Sequence, residues 1–208
     1  MKKRGILIIL TVFLSCNYND KRPIVGETMY QKNLNSLYKD ASKSPLKKKD
    51  LRNFEGLDFF PVDSSYIITA TLTKTPDSPY LEMPSSDNSI LYYREYGVIH
   101  FTLKEKKLSL TLYQNLEEQQ DPQLKDYLFL PFTDLTSGEE SYGGGRFMNL
   151  FESTITSENT IELNFNNTYN PYCAYNEEYS CPLTPRKNHL SIPITAGIKD
   201  FKKNSPKK

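Results

Sequence analysis

The chain has 208 residues, of which 38% are hydrophobic and 25% are charged, enough apolar material for a folded core. Its 26 lysines and arginines nearly balance its 25 acidic residues, so the formal net charge is only +1. Because no excess of positive charge attracts phosphate backbones, the composition argues against a nucleic-acid-binding protein.

The first sixteen residues follow the order of an export signal. Three basic residues at positions 2–4 precede an apolar run over 6–14, and Ser15-Cys16 closes the segment. The apolar run is shorter than the roughly 20 residues that a stable membrane-spanning helix needs. The residues Phe13-Leu14-Ser15-Cys16 resemble the lipobox of bacterial lipoproteins, with Phe13 where leucine is usual.

This resemblance implies that Cys16 is acylated, becomes the first mature residue and anchors the protein in a lipid bilayer. Acyl chains hold firmly because each buried methylene contributes about 0.8 kcal/mol. We predict a signal peptide over residues 1–15, a tether over 16–26 and a place in the cell envelope, facing the periplasm or the cell exterior. A plain cleaved signal with an incidental cysteine is the alternative. Loss of the signal would reduce the 26 basic side chains to 23 against 25 acidic ones, a charge of about −2.

Sequence periodicity divides the remaining chain into a helical start and a β-rich remainder. Apolar residues at helical spacing predict an amphipathic helix over 27–41. From Leu57 onward the period is two, which predicts strands. The strand candidates are residues 66–73, 98–103, 108–112, 127–132, 161–165 and 190–194.

These elements predict a mainly β (α+β) fold, either an antiparallel β-sandwich or an open barrel, with an N-terminal amphipathic helix. Residues 74–89 are rich in proline and serine and predict an exposed loop. We expect a single β-rich domain over residues 27–198, followed by a basic tail over residues 199–208.

Two polar stretches stand apart from ordinary strand-and-turn sequence. The first spans residues 130–147 and contains a run of three glycines before an arginine. The second spans residues 164–197 and is rich in asparagine and tyrosine. Tyrosine and asparagine side chains suit polar ligands, and they also serve as hydrogen-bonded braces within a fold. The candidate binding or catalytic residues are Asp134, Tyr142, Arg146, Asn166, Asn170 and Tyr172.

These stretches closely resemble the uncharacterised bacterial family known as domain of unknown function 1684. Residues 132–147 match its pattern F-x-D-x-T-x-G-x-x-[TS]-Y-x-x-G-R-[YF], and residues 164–175 match D-F-N-x-A-Y-N-P-x-C-A-Y with two departures. The likeness covers most of residues 37–198 and implies no reaction, ligand or partner. Asn164 stands where the family usually has aspartate, and Ile198 where it usually has glutamate. A carboxylate acting as general acid or base at either position is therefore missing here.

Cys173 and Cys181 form an even pair once Cys16 carries lipid. In an exported chain such a pair predicts a disulfide, which contributes on the order of 2–3 kcal/mol of stability. A zinc site with His189 is one alternative, but zinc sites usually have closer cysteine spacing and a fourth ligand, so we predict no metal. Free structural thiols are the other alternative.

Two further constellations in the first stretch allow chemical interpretations. A triad of Asp134, His189 and Ser141 can be drawn, although no nucleophile elbow accompanies it. The glycine run before Arg146 could cradle an anion. The favoured interpretation is a tight turn that leads into a strand, with Arg146 paired to Asp134 or Glu139.

Together these observations predict a membrane-anchored envelope protein that binds a small polar ligand or an envelope protein partner, without a cofactor. They assign no oligomeric state. The motif residues do not form a recognisable catalytic set, so we do not expect an enzyme. The alternative is a hydrolase-like enzyme that uses the Asp134–Arg146 motif.

Overall fold

The computed structural model describes residues 23–201. The predicted signal peptide, Cys16 and most of the basic tail lie outside the described residues. Within residues 23–201, no helix is both long enough and apolar enough to cross a membrane.

The first described element is helix α1 (Met29–Lys39), followed by the short helix α2 (Lys48–Arg52). The Thr28 side chain caps α1 by accepting a hydrogen bond from the Gln31 backbone N–H. The buried Asn35 amide accepts from the Leu57 N–H at 2.7 Å and donates to the Val25 carbonyl at 2.9 Å. The predicted N-terminal helix is therefore present with shorter bounds, and Asn35 ties it to the segments on either side.

Seven antiparallel strands form one sheet that curls into a half-barrel. The sheet order is β6-β5-β4-β3-β1-β7, and β2 pairs with β3 beside this path. The mainly β prediction is confirmed, and of the two predicted architectures the open barrel is the one formed. The strands are β1 (Ile67–Lys74), β2 (Tyr80–Pro84), β3 (Ile90–Leu103), β4 (Lys106–Asn115), β5 (Tyr127–Phe132), β6 (Arg146–Phe151) and β7 (Thr160–Asn164).

The β3–β4 hairpin confirms the strongest sequence signal for paired strands. Lys104 and Glu105 connect the two strands with φ values of 49° and 63°, the left-handed conformation of a tight hairpin turn. The ladder continues from this turn to the pair Tyr93 and Asn115. The hairpin is thus longer than the sequence pattern indicated, and its outer part carries β2.

The segment 74–89 was predicted as an exposed loop, and this is wrong over β2. Met83 of β2 is buried, and the strand pairs with the outer half of β3 from Tyr80–Arg94 to Pro84–Ile90. Pro84 is tolerated because its backbone points away from β3, where its carbonyl accepts from the Leu183 N–H at 2.8 Å, so the ladder with β3 requires no N–H from it. The serines and other prolines lie in the flanking turns.

The strand predicted over 190–194 is also wrong. Leu190, Ile192 and Ile194 are buried and alternate with exposed residues, so the period of two is real. However, Pro193 has no N–H, and the Ile194 N–H donates to the Asp134 side chain rather than to a neighbouring strand. The alternation therefore reflects packing of an irregular segment against the sheet.

The sheet buries apolar side chains on both faces. Leu128 and Leu130 of β5 belong to the largest cluster, which fills the inner face and includes the segment 190–196. Phe129 points to the opposite face, where it packs with aromatic residues of β3, β4 and β6. A third cluster lies under α1 around Tyr38. The inner face is thus covered by the irregular C-terminal segment, which the first polar stretch holds in place.

Candidate functional site

Asp134 and Arg146 form a buried ion pair at one end of β5 and β6. The register pairs Phe132 of β5 with Arg146 of β6, and Asp134 follows two residues beyond. The Arg146 Nη2 donates to Asp134 Oδ2 at 2.8 Å, and both side chains are 0% exposed. The hairpin-like pairing of these strands therefore brings the two charges together away from water.

The remaining guanidinium contacts of Arg146 are to the C-terminal segment. Nη2 donates to the Ile194 carbonyl at 2.8 Å, and Nη1 donates to the carbonyls of Ala196 at 2.5 Å and Ile198 at 3.3 Å. Burial lowers the pKa of Arg146, and the Asp134 carboxylate opposes this shift. The guanidinium group thus holds this segment through its backbone carbonyls, as hydrogen bonds from a neighbouring strand would in a sheet.

Two aromatic rings and the Asp134 carboxylate complete this arrangement. The rings of Phe60 and Phe132 lie 5.7 Å and 5.3 Å from the Arg146 Cζ, and Arg146 Nε is buried with no hydrogen-bond partner among residues 23–201. Asp134 Oδ1 accepts from the Thr136 N–H at 2.8 Å, the Thr136 hydroxyl at 2.7 Å and the Ile194 N–H at 3.1 Å. We call Asp134, Thr136, Arg146 and the segment 194–198 the arginine clamp.

The glycine run before Arg146 is a tight turn. Gly145 has a φ of +95°, and a Cβ there would lie 2.6 Å from both the Phe132 carbonyl and the Thr184 hydroxyl. Only glycine fits such a close approach. The turn directs Arg146 into the core, so the interpretation as a strand-leading turn with an Asp134 partner agrees with the structure, and the anion-cradle interpretation does not.

Asn166 and Asn170 brace the fold from the second polar stretch. Asn166 Oδ1 accepts from the Asp63 N–H at 3.0 Å, and its Nδ2 donates to the Asp63 carbonyl at 2.9 Å. Asn170 Nδ2 donates to the Lys199 carbonyl at 2.8 Å. Both side chains are buried, so they act as hydrogen-bonded cross-braces between distant segments.

Tyr142 and Tyr172 lie near the cysteines rather than in the clamp. Tyr142 is half-buried beside Cys173, and burial raises the pKa of its hydroxyl to about 12. Tyr172 is 38% exposed, and its ring meets that of Tyr179 edge to face at 5.3 Å. The structure therefore separates the six predicted residues into four buried braces and two tyrosines, and it does not bring them to one pocket.

The alternative chemical sets are not assembled either. Ser141 is buried and hydrogen-bonded to Thr136, whereas His189 is exposed with its Nδ1 3.0 Å from the Thr133 hydroxyl. In the part of the chain from 23 to 201, no three or more His, Cys, Asp or Glu side chains are placed to share a metal ion. Cys173 and Cys181 are free thiols, so the structure does not show the predicted disulfide.

The open feature of the fold is the gap between the two ends of the sheet. Among the described strands, β6 and β7 each pair on one side only, with β5 and β1 respectively. Between them lies a cavity of about 630 Å³, which we call the seam cavity. Its apolar lining includes Met148 and Leu150 of β6. Its polar and aromatic lining consists of Tyr30, Asn149, Phe151, Thr154, Glu162, Asn164 and Asn167.

The polar groups of the seam cavity are only partly used by the fold. Asn149 Oδ1 accepts from the hydroxyls of Tyr127 and Tyr169, which orients the amide and leaves its two N–H donors without a partner in the described structure. Asn164 Oδ1 accepts from the Asn166 backbone and side chain, both at 3.1 Å, and its own Nδ2 makes no further bond within residues 23–201. Such side chains can exchange water for a ligand.

Backbone groups also face the seam. The Phe147 backbone exchanges two hydrogen bonds with Tyr169, so it points away from β5. Because the direction alternates along a strand, the N–H and C=O of Asn149 point the same way. On β7 the Asn159 carbonyl accepts from the Leu72 N–H, so the Glu162 backbone points away from β1. Both edges thus present unused backbone groups beside the cavity.

Sequence reasoning missed the seam cavity. The available signal was local. Asn149 and Glu162 are polar residues that lie between buried apolar residues of the same strand. Tyr30 lies in α1, within the stretch 27–41 for which the sequence predicted only an amphipathic helix. The cavity depends on how far the two ends of the sheet approach each other, which no local pattern reports.

Fold and clamp together define a class of protein, an antiparallel half-barrel whose inner face is covered by a segment fixed to a buried arginine. Residues 52–199 match the model of the family described as "Protein of unknown function (DUF1684)". The match spans most of the chain, so the protein belongs to this family, as the motifs indicated. A comparison with curated proteins finds no match.

A solved structure is similar to this chain. It is the solution NMR structure of the uncharacterized protein from gene locus rrnAC0354 of Haloarcula marismortui. The two sequences are 30% identical, the match covers 81% of this chain and 89% of that chain, and the TM-score is 0.64. The half-barrel fold is therefore shared with a relative.

Proposed function

We propose that this protein is a binding protein whose ligand occupies the seam cavity. The observation that carries this proposal is the contrast between polar groups that the fold uses and those it does not. The clamp side chains are sealed, whereas the seam cavity joins uncommitted amide, hydroxyl and carboxylate groups in an open space of about 630 Å³. That volume lies within the range of about 300–1,000 Å³ that is typical of small-molecule sites.

The chemistry of the lining favours a neutral, hydroxyl-rich ligand such as a saccharide. The Asn149 and Asn167 amides offer donors, and the Glu162 carboxylate accepts hydrogen bonds from hydroxyl groups. Phe151, which is 40% exposed, offers an apolar face of the kind that packs against a sugar ring. Alternating donors, acceptors and one apolar face match the surface of a saccharide.

We further propose that the protein acts from the cell envelope, anchored through an acylated Cys16. The support is the charged, apolar and small-residue order of residues 2–16. In that compartment Cys173 and Cys181 would meet oxidants able to join them in a disulfide. A lipid-modified Cys16 leaves these two thiols as a pair.

The hydrolase-like alternative receives no support from the clamp. It requires Asp134 or Arg146 to contact a substrate, but both side chains are 0% exposed. Asp134 also accepts four hydrogen bonds, including the one from Arg146, so both of its carboxylate oxygens are already bonded within the fold.

The test of binding uses the full chain labelled with ¹⁵N and a panel of mono- and disaccharides. We expect at least one saccharide to shift the amide signals of Asn149, Glu162 and Asn167 in a saturable way. Glu162→Gln and Asn167→Ala should then weaken binding by roughly tenfold, because each removes a hydrogen-bonding partner. Glu82→Gln on β2 makes the same charge change on an exposed strand residue outside the cavity and should leave affinity unchanged.

Two results would overturn the assignment. One is a panel in which no saccharide shifts the seam signals at millimolar concentration. The other is a saccharide whose affinity responds equally to Glu162→Gln and Glu82→Gln, which would indicate a general charge effect rather than contact in the cavity.

A further inference from the structure

A second group of reactive side chains lies outside both the clamp and the seam cavity. Cys173 belongs to a short 3-10 turn (Tyr172–Ala174), and its backbone N–H donates to Cys181 Sγ at 3.1 Å. The Cys181 thiol in turn donates to the Cys173 sulfur. The two side chains are therefore in direct contact although seven residues separate them in the chain.

Each cysteine is held by a different part of the fold. The Cys181 N–H donates to the Ser86 hydroxyl at 3.1 Å, and the Ser86 N–H donates to the Cys181 carbonyl at 2.9 Å. These bonds fix Cys181 to the turn between β2 and β3. On the other side, Tyr175 packs against Tyr38 of α1 with ring centroids 4.8 Å apart. The sulfurs thus meet where two separately supported segments come together.

The two thiols differ in exposure and in hydrogen bonding. Cys181 is only 6% exposed, whereas Cys173 is partly open to solvent. Hydrogen bonds to the Cys173 sulfur from the Cys181 thiol, and then from the Ser86 and Tyr142 hydroxyls, lower the pKa of Cys173. The same contact with Cys173, together with burial, raises the pKa of Cys181. Cys173 is therefore the more accessible thiol and the one whose pKa is shifted toward the thiolate, which is the nucleophilic form.

We propose that Cys173 and Cys181 form a thiol–disulfide exchange site, in which Cys173 attacks an incoming disulfide and Cys181 resolves the product. The substrate class is the disulfide of a small thiol or of an accessible cysteine peptide. Tyr172 and Tyr179, each 38% exposed, border the site and offer it an apolar surface. This exchange site is separate from the arginine clamp, whose charged side chains are buried.

The exchange proceeds in two balanced steps. The Cys173 thiolate attacks one sulfur of the substrate RS–SR, forms a mixed disulfide and expels RS⁻. Cys181 then releases its proton to solvent, attacks the Cys173 sulfur and expels the second RS⁻. Two electrons leave the cysteine pair, so the substrate disulfide becomes two thiols while the protein gains the Cys173–Cys181 disulfide.

The experiment uses the reduced full-length protein in a Cys16→Ser background, so that only the two cysteines of the site remain. The probe is the chromogenic disulfide dithiobis(nitrobenzoate). We expect two equivalents of released thiolate per protein and a product without adduct that is two hydrogens lighter. Cys181→Ser should release one equivalent and keep a stable adduct on Cys173. Cys173→Ser should react at least about tenfold more slowly, since Cys181 is buried and less acidic.

Two further measurements separate a chemical role from a structural one. Peptide mapping of the unsubstituted pair after brief, substoichiometric alkylation with iodoacetamide, whose thioether Cys181 cannot displace, should find the first adduct on Cys173, and this requires no variant to fold. Tyr142→Phe removes a donor to the thiolate and should move the rate profile to higher pH. Adducts retained on both cysteines, or equal rates for the two single-cysteine variants, would overturn the proposal.

Discussion

Polar side chains are concentrated in two regions of this protein, the arginine clamp behind β5 and β6 and the seam cavity between β6 and β7. In the clamp, Arg146 and Asp134 form an ion pair with each other and hydrogen bonds with the backbone of the C-terminal segment. In the seam cavity, Asn149 and Glu162 face open space with groups the fold leaves unused. The denser motif in the sequence is therefore structural, and the sparser one carries the proposed function.

The difference teaches how to interpret a polar motif. A cluster of charged and amide side chains between strands can replace a missing strand ladder, as Arg146 does for the segment 194–198. Isolated polar residues on edge strands have no such task. This is why we propose that a ligand binds at these positions rather than in the clamp.

The largest expected effect is that of breaking the clamp. Arg146→Met should destabilise the fold by about 3–5 kcal/mol, because it leaves the Asp134 charge buried without its partner. Urea denaturation measures this free energy of unfolding.

Two variants control this measurement. Arg94→Met removes a partly buried arginine that donates to the Gln114 side chain, and its cost should be about 1 kcal/mol. Arg146→Lys keeps the charge but cannot reach the carboxylate and three carbonyls at once, so it should recover little of the loss. If Arg146→Met stays within about 1 kcal/mol of the unsubstituted protein, the clamp is not the support described here.

The smallest expected effect is that of Asn164→Asp, which restores the residue usual in the family. The Asn164 Oδ1 only accepts hydrogen bonds, and a carboxylate oxygen accepts them equally well. Stability should therefore change by less than about 0.5 kcal/mol. The variant adds a negative charge to the seam cavity beside Glu162, so saccharide affinity is the property expected to change.

Asn164→Asp is expected to change saccharide affinity while leaving stability nearly unchanged, whereas a mutation in the clamp is expected to lower stability. Thermal unfolding and titration of the same sample measure both quantities. A large loss of stability would show that the Asn164 Nδ2 group, which lies outside the hydrogen bonds described, supports the fold after all.

Local patterns predicted the parts of this structure that local physics determines. The period of 3.6 residues located α1, and the period of two located the β3–β4 hairpin. The glycine turn before Arg146 predicted a pairing with Asp134 or Glu139, and the structure shows Asp134. These features depend on residues that are close in the sequence.

The remaining features depend on contacts between distant segments. β2 exists because β3 extends beyond the part that pairs with β1, and the segment 190–194 is irregular because Arg146 and Asp134 bind the backbone of Ile194. The seam cavity depends on the distance between β6 and β7 after the whole sheet has curled. Apart from the missing N–H of Pro193, none of these causes lies within the segment that it shapes.

Amide hydrogen exchange measured by NMR tests most directly whether the clamp is sealed and the seam is open. The Ile194 and Thr136 amides, both bonded to the buried Asp134 carboxylate, should exchange only on global unfolding. The Asn149 and Glu162 amides, which point away from their paired strands, should exchange orders of magnitude faster in the same sample. An Ile194 amide that exchanges as fast as that of Asn149 would contradict the account.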